Sequence, residues 1–120
     1  MNRKELEDRT QRFHIRVLKL CENFPRTPAG FELAKQLIRA AGSVGSNYRA
    51  SRRAKSSADF IYKIEVVLEE SDECHYWLTV TLKSKILNSD FDEEISNLIC
   101  EANELTAIFA ASDKTAKLKR

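Results

Sequence analysis

The chain has 120 residues, enough for one domain around one core, with only two prolines and three glycines against 42% hydrophobic and 32% charged residues, a balance that points to long helices. Three scattered cysteines (Cys21, Cys74 and Cys100) without a CxxC pair argue against a zinc site or disulfide framework and for a reducing cytoplasm, while the charged start and the lack of a long apolar run predict neither signal peptide nor membrane span. The net charge of +2 conceals segregation: residues 1–55 hold 13 Lys+Arg against 5 Asp+Glu, residues 56–113 hold 3 against 13, and residues 114–120 add Lys114, Lys117, Lys119 and Arg120.

Periodicity and breaks predict four helices. The first runs from about Lys4 to Phe24, with Leu6, Phe13, Val17, Leu20 and Phe24 on one face, and Pro25 ends it. Thr27-Pro28 opens the second, Thr27 as N-cap and Pro28 at the first position, where its missing N–H costs nothing. That helix runs to about Arg53 and sets Ala34, Leu37, Ile38, Ala41, Gly45 and Tyr48 on a single face. Ser56 or Ser57 caps the third, which covers about 57–87 with Phe60, Ile64, Val67, Leu78 and Leu82 toward the core. After the break at Asn88-Ser89-Asp90, Asp90 and Glu93 make a capping-box-like start for a fourth helix over about 91–111. Residues 112–120 read as a polar, basic tail that frays. Short connections between four helices predict one all-α domain over 1–120, an antiparallel up-down-up-down four-helix bundle.

Charge patterning supplies the candidate binding residues. On the second helix Lys35, Arg39, Ser46, Arg49 and Arg53 fall close to one line, about 120° from the apolar face at about 100° per residue. Arg9, Arg12, Arg16 and Lys19 make a second stripe on the first helix. Two such stripes suit a phosphate backbone, where counterion release supplies affinity that falls with salt. The plainer alternative is a solvated outer face. With no aromatics between the arginines, neither base stacking nor sequence readout is expected. Arg52 continues the register of Ala41, Gly45 and Tyr48, so it is expected to face protein and pair with Asp59 or Glu65. Asn47 is read as donating to a neighbouring helix or as simply exposed.

The third helix places Glu65, Glu69, Asp72 and Tyr76 on one line and leaves Tyr62, Val66, Trp77 and Val80 as a second apolar flank. A lone bundle has little use for a flank holding its only tryptophan, so a subunit interface is expected there. The alternative is spill-over from the core.

Enzyme readings find little footing. Asp72 and His75 stand three residues apart, as in di-iron bundles, but such sites need two pairs and two further inward carboxylates. His75 is better read as a hydrogen-bonded core histidine beside Ser71. Arg9 and His14 have the R-x4-H spacing of HEPN-type helical ribonucleases, on the first helix where those enzymes usually carry it later. No Gly-rich phosphate loop, nucleophile elbow or metal-spaced histidine pair occurs. The expectation is a non-enzyme with no cofactor and no metal.

The run Ala41-Gly42-Ser43-Val44-Gly45-Ser46-Asn47-Tyr48-Arg49-Ala50, followed by Arg53, resembles the second-helix signature of a bacterial family of small four-helix proteins. The stretches Ala58-Asp59-Phe60-Ile61-Tyr62-Lys63, Val67-Leu68-Glu69-Glu70-Ser71-Asp72-Glu73 and Tyr76-Trp77-Leu78 are similar to its third helix. These are the proteins encoded inside intervening sequences of 23S rRNA genes, and the accessory variability proteins of diversity-generating retroelements are similar to them. The resemblance covers about residues 10–110. It implies a homopentamer of bundles arranged as a barrel, without catalytic residues, with close packing at Gly42, Ser43, Gly45 and Ser46. In the retroelement branch a positive surface meets nucleic acid and a reverse transcriptase. Carried over by position, that role falls to Arg49, Arg52 and Arg53, with Arg39 and Lys35 behind them.

Overall fold

The computed structural model describes residues 1–119, and within them the chain is all-α: four long helices, one short 3-10 turn and no strand. The helices are α1 (Arg3–Cys21), α2 (Pro28–Ser51), α3 (Ser57–Ser84) and α4 (Asp92–Lys119), with the 3-10 turn at Ser89–Phe91. Each start carries a local chemical reason. Asn2 accepts the Glu5 N–H at 2.8 Å, Thr27 Oγ1 accepts the Gly30 N–H at 3.1 Å, and Ser56 Oγ accepts the Asp59 N–H at 3.0 Å, each satisfying a donor that the first helical turn leaves free. Lys85 ends α3 in the left-handed region (φ 58°), and Asn88 caps the 3-10 turn through the Asp90 N–H. The expected start at Asp90 thus falls inside the 3-10 turn that Asn88 caps, and α4 follows directly from Asp92.

The other end of α4 corrects a second expectation. Residues 112–119, read as a fraying tail, continue the helix; Arg120 lies outside the described residues. Asp113 is buried, and its Oδ2 takes a salt bridge from Lys117 at 3.0 Å one turn on. Lys117 also reaches Glu65 on α3 at 2.7 Å. Acidic Asp92, Glu93 and Glu94 open α4, and basic Lys117 and Lys119 close it, which suits the helix dipole at both ends.

The four helices form a bundle with principal extents of 47 × 23 × 21 Å. At about 1.5 Å per residue a helix of 28 residues spans about 42 Å, so α3 and α4 set the long axis. One core runs through it, including Phe13 and Val17 from α1, Leu37 and Val44 from α2, Val67 and Leu78 from α3, and Leu105 and Phe109 from α4. On α2 the buried face is Leu33, Leu37, Ala40, Ala41, Val44 and Tyr48. It is turned from the expected one, because Ala34, Ile38 and Gly45 are only half-buried. Likewise Ile61 rather than Phe60 is the buried residue at the start of α3.

Small residues set how closely α1 and α2 approach. A Cβ at Gly42 would stand 3.2 Å from the His14 ring, and one at Gly45 would stand 3.4 Å from Thr10 Oγ1. Ser46, by contrast, is exposed, and Asn47 donates to the Ser43 carbonyl of its own helix at 2.8 Å. The tightest approach lies at Gly30, where a Cβ would collide with the Pro25 carbonyl oxygen. Gly30→Ala must therefore push the α1–α2 connection away from the first turn of α2. A loss of about 1–3 kcal/mol is expected, the usual range for overpacking. Gly45→Ala, meeting ordinary van der Waals distance, should cost far less in the same thermal melts.

Candidate nucleic-acid interface

The five basic residues singled out on α2 fall into different circumstances. Lys35, Arg49 and Arg53 are exposed, and none has a carboxylate partner among the described residues. Arg39 is also exposed but is tied down. Its guanidinium donates to Glu70 at 3.2 Å and to Glu73 on α3, and Glu73 also accepts from Trp77 Nε1 at 3.0 Å. Burial pushes the Glu73 carboxyl up, but the hydrogen bonds from Trp77 and Arg39 outweigh it and hold it below its ordinary value. Burial keeps the neighbouring Glu70 carboxyl above the usual range despite Arg39.

Arg52 corrects the expectation of a partly buried residue paired with α3. It is exposed, stands just past the last turn of α2, and meets Glu7 of α1 at 3.7 Å. The partners expected for it are occupied elsewhere. Asp59 accepts from Lys63 at 2.8 Å and from the Lys55 N–H at 2.9 Å, which together hold its pKa low. Glu65 takes Lys117.

The α1 stripe divides in the same way. Arg9 donates to Glu101 at 2.7 and 2.6 Å and also reaches Glu104, while Arg16 holds Glu94 at 2.8 and 3.2 Å. Both arginines fasten α1 to acidic α4, and only Arg12 and Lys19 remain exposed without a partner among the described residues. His14, half-buried, lies against Gly42 of α2. Arg9 and His14 therefore face different helices, and the structure does not bring the R-x4-H pair together.

The expected apolar flank of α3 separates too. Trp77 and Val80 are partly buried against the core. Tyr62 is 65% exposed and borders a shallow groove with Val66, Glu65, Glu69 and Asp72. Tyr76, 58% exposed, sets its ring edge-on to Trp77 at 5.0 Å. His75 is half-buried and makes no hydrogen bond among the described residues, because Ser71 donates to the Leu68 carbonyl and accepts from Thr106 at 3.1 Å. Among the described residues no three His, Cys, Asp or Glu side chains are placed to hold a metal ion. Burial pushes the Cys21 thiol up to about 12 and raises Cys74 as well, so neither is a nucleophile near neutral pH.

Arg3 went unnoticed in the sequence. Its guanidinium lies 4.7 Å from the Tyr48 ring centroid, donates to Ser51 Oγ at 3.1 Å, and shares Glu7 with Arg52. The i,i+4 spacing of Arg3 and Glu7 is the one sequence signal for it. Together these residues tie the start of α1 to the end of α2 and leave that corner net positive.

A four-helix bundle whose second helix presents unneutralised cations is the class that this geometry defines. The chain belongs to the 23S rRNA-intervening sequence protein family, whose model matches residues 4–110. Among solved structures it is similar to a protein of unknown function from the S23 ribosomal protein family of Bacteroides thetaiotaomicron VPI-5482. The two are 25% identical with a TM-score of 0.82, over 95% of this chain and 99% of that one. No curated protein matches it. No helix among the described residues is long and apolar enough to cross a membrane.

Proposed function

We propose that this chain is a non-enzymatic, cytoplasmic, homopentameric four-helix bundle that binds nucleic acid, structured RNA or an RNA–DNA hybrid, through the outer face of α2. The observation that carries the reading is the split among the basic residues. Arg9, Arg16 and Arg39 are consumed by carboxylates of α4 and α3, whereas Lys35, Arg49 and Arg53 face solvent uncompensated. Lys35 and Arg49 on α2, with Arg53 just past its end, leave unneutralised cations on one side of the bundle for phosphates to meet. An up-down-up-down arrangement is supported by the α1–α4 ion pairs, in which Arg9 meets Glu101 and Arg16 meets Glu94, so the numbers run oppositely. From the resemblance of the accessory variability proteins of retroelements to the intervening-sequence family, we propose a reverse transcriptase as a further partner of the same surface. Arg52, just past the end of α2, adds charge at the edge of this face, while Arg39, held by Glu70 and Glu73, adds no net positive charge to it.

A second reading, a protein-binding scaffold, draws on Tyr62 beside the exposed carboxylates Glu69 and Asp72. Alanine at Lys35, Arg49 and Arg53 separates the two, since it weakens RNA binding only if the α2 face carries it. Light scattering tests the assembly. A mass of five chains is expected, and a monomer at assay concentration contradicts it.

A further inference from the structure

At the corner where α2 turns into α3, against the last turns of α4, lies a cleft of about 930 Å³. That is within the size of small-molecule sites, about 300–1,000 Å³. Among the described residues four cations line it, Arg3, Arg52, Lys55 and Lys119, and no carboxylate side chain does, in a chain with 18 acidic residues. The groove between α1 and α2 is different, because Glu7 and Asp8 line it alongside its lysine and arginines. Glu7 reaches both Arg3 and Arg52 from outside the cleft, at 3.5 and 3.7 Å, and one carboxylate between two guanidinia leaves them net positive. The ammonium groups of Lys55 and Lys119 form no salt bridge among the described residues, although the Lys55 backbone N–H donates to Asp59.

Beside the cations stands Phe60. It is half-buried, packs one side against the core, and lines the cleft with the other. The hydroxyls of Ser57 and Thr115 border the same space. The cap of α3 is internally satisfied, since Ser56 Oγ is spent on the Asp59 N–H. The site is thus made by side chains and not by the helix end. Cations without acids select an anion with several oxygens, and an aromatic wall of the same cleft selects a flat π-face on the same molecule.

We propose that this cleft is a nucleoside-phosphate site, with Lys55, Lys119 and Arg52 on the phosphate, Phe60 against the base, and Arg3 as a positioning residue fixed by Tyr48 and Ser51. The ligand is a free mononucleotide or one unit of a single strand. For a strand the site rests on the nucleic-acid reading above; for a free nucleotide it stands alone.

Titration of AMP into isotope-labelled protein, followed by amide NMR, tests it. AMP is expected to shift Ser57 and Phe60, and Lys55→Ala/Lys119→Ala to abolish those shifts, while Lys35→Ala/Arg49→Ala/Arg53→Ala keeps them. Phe60→Leu, which retains apolar volume but loses the π-face, should weaken AMP about fivefold or more. A labelled single-stranded oligonucleotide separates the sources. If a strand is the ligand, the Lys55/Lys119 double variant lowers its salt slope by about 1.4, at about 0.7 per lost contact. An unchanged slope with lost AMP shifts assigns the free nucleotide. Amides of the cleft that ignore AMP, or that respond equally in the double variant, overturn the site. If RNA binding then fails only in the α2 triple variant, the outer-face reading survives its loss. Inorganic phosphate matching AMP, with no effect of Phe60→Leu, overturns the nucleoside assignment.

Discussion

Phe109→Ala should lose about 3–5 kcal/mol of stability, the range for emptying a fully buried aromatic site. Phe109 has no exposed surface and sits in α4 with its ring centroid 5.3 Å from that of Tyr48 on α2, tilted by 52°. The substitution removes both the buried ring and an aromatic pair that bridges two helices. Against a total of about 5–15 kcal/mol for a domain of this kind, the loss is a large fraction. Urea unfolding followed by far-UV circular dichroism should show a lower midpoint with the same slope. Phe31→Ala is the matched control. Phe31 is 61% exposed on α2, and its removal should change stability by no more than about 0.5 kcal/mol. Equal losses from the two would contradict the core as described.

The caps were legible in the sequence because their chemistry is local. Thr27 before Pro28, and Ser56 before Asp59, act within three residues of themselves. The apolar stripe of α1 was legible for the same reason: Leu6, Phe13, Val17 and Leu20 are all buried, and so is Phe24, although α1 ends at Cys21 and not at Phe24 as expected. What periodicity does not contain is the azimuth of one helix against the next. Arg9 and Arg16 looked like half of a phosphate-tracking stripe, yet their partners lie 92 and 78 residues away on α4. Arg52 was assigned to α3 on its register with Tyr48. It lies past the end of the helix, where that register no longer holds, and turns to α1 instead. The tail looked frayed because it is polar, but Lys117 gains Glu65 only once α3 is beside it. Helical periodicity does not mark Gly30, because its neighbour is a loop carbonyl and not another helix.

The same sorting sharpens the candidate site. Of the five cations proposed on α2, Arg39 and Arg52 already hold carboxylates, so their removal changes internal ion pairs as well as surface charge. Lys35, Arg49 and Arg53 report on a ligand more cleanly, since no described residue leans on them. If each neutralises one phosphate, replacing all three removes about 0.7 of salt slope per contact on a single strand, about 2 in total, and about 2.7 on a duplex. Near 0.1 M salt that corresponds to about a hundredfold weaker binding. Loss of stability should be small, as expected for exposed positions without partners.

Binding of labelled structured RNA to the wild type and to Lys35→Ala/Arg49→Ala/Arg53→Ala, each across a series of salt concentrations, tests the nucleic-acid reading most directly. The proposal predicts that the wild type binds with a steep salt dependence and that the variant, folded and of the same assembled mass, loses about a hundredfold or more in affinity and about 2 units of slope on single-stranded segments, about 2.7 on duplex ones. Equal affinity and equal slope in the two proteins would contradict it.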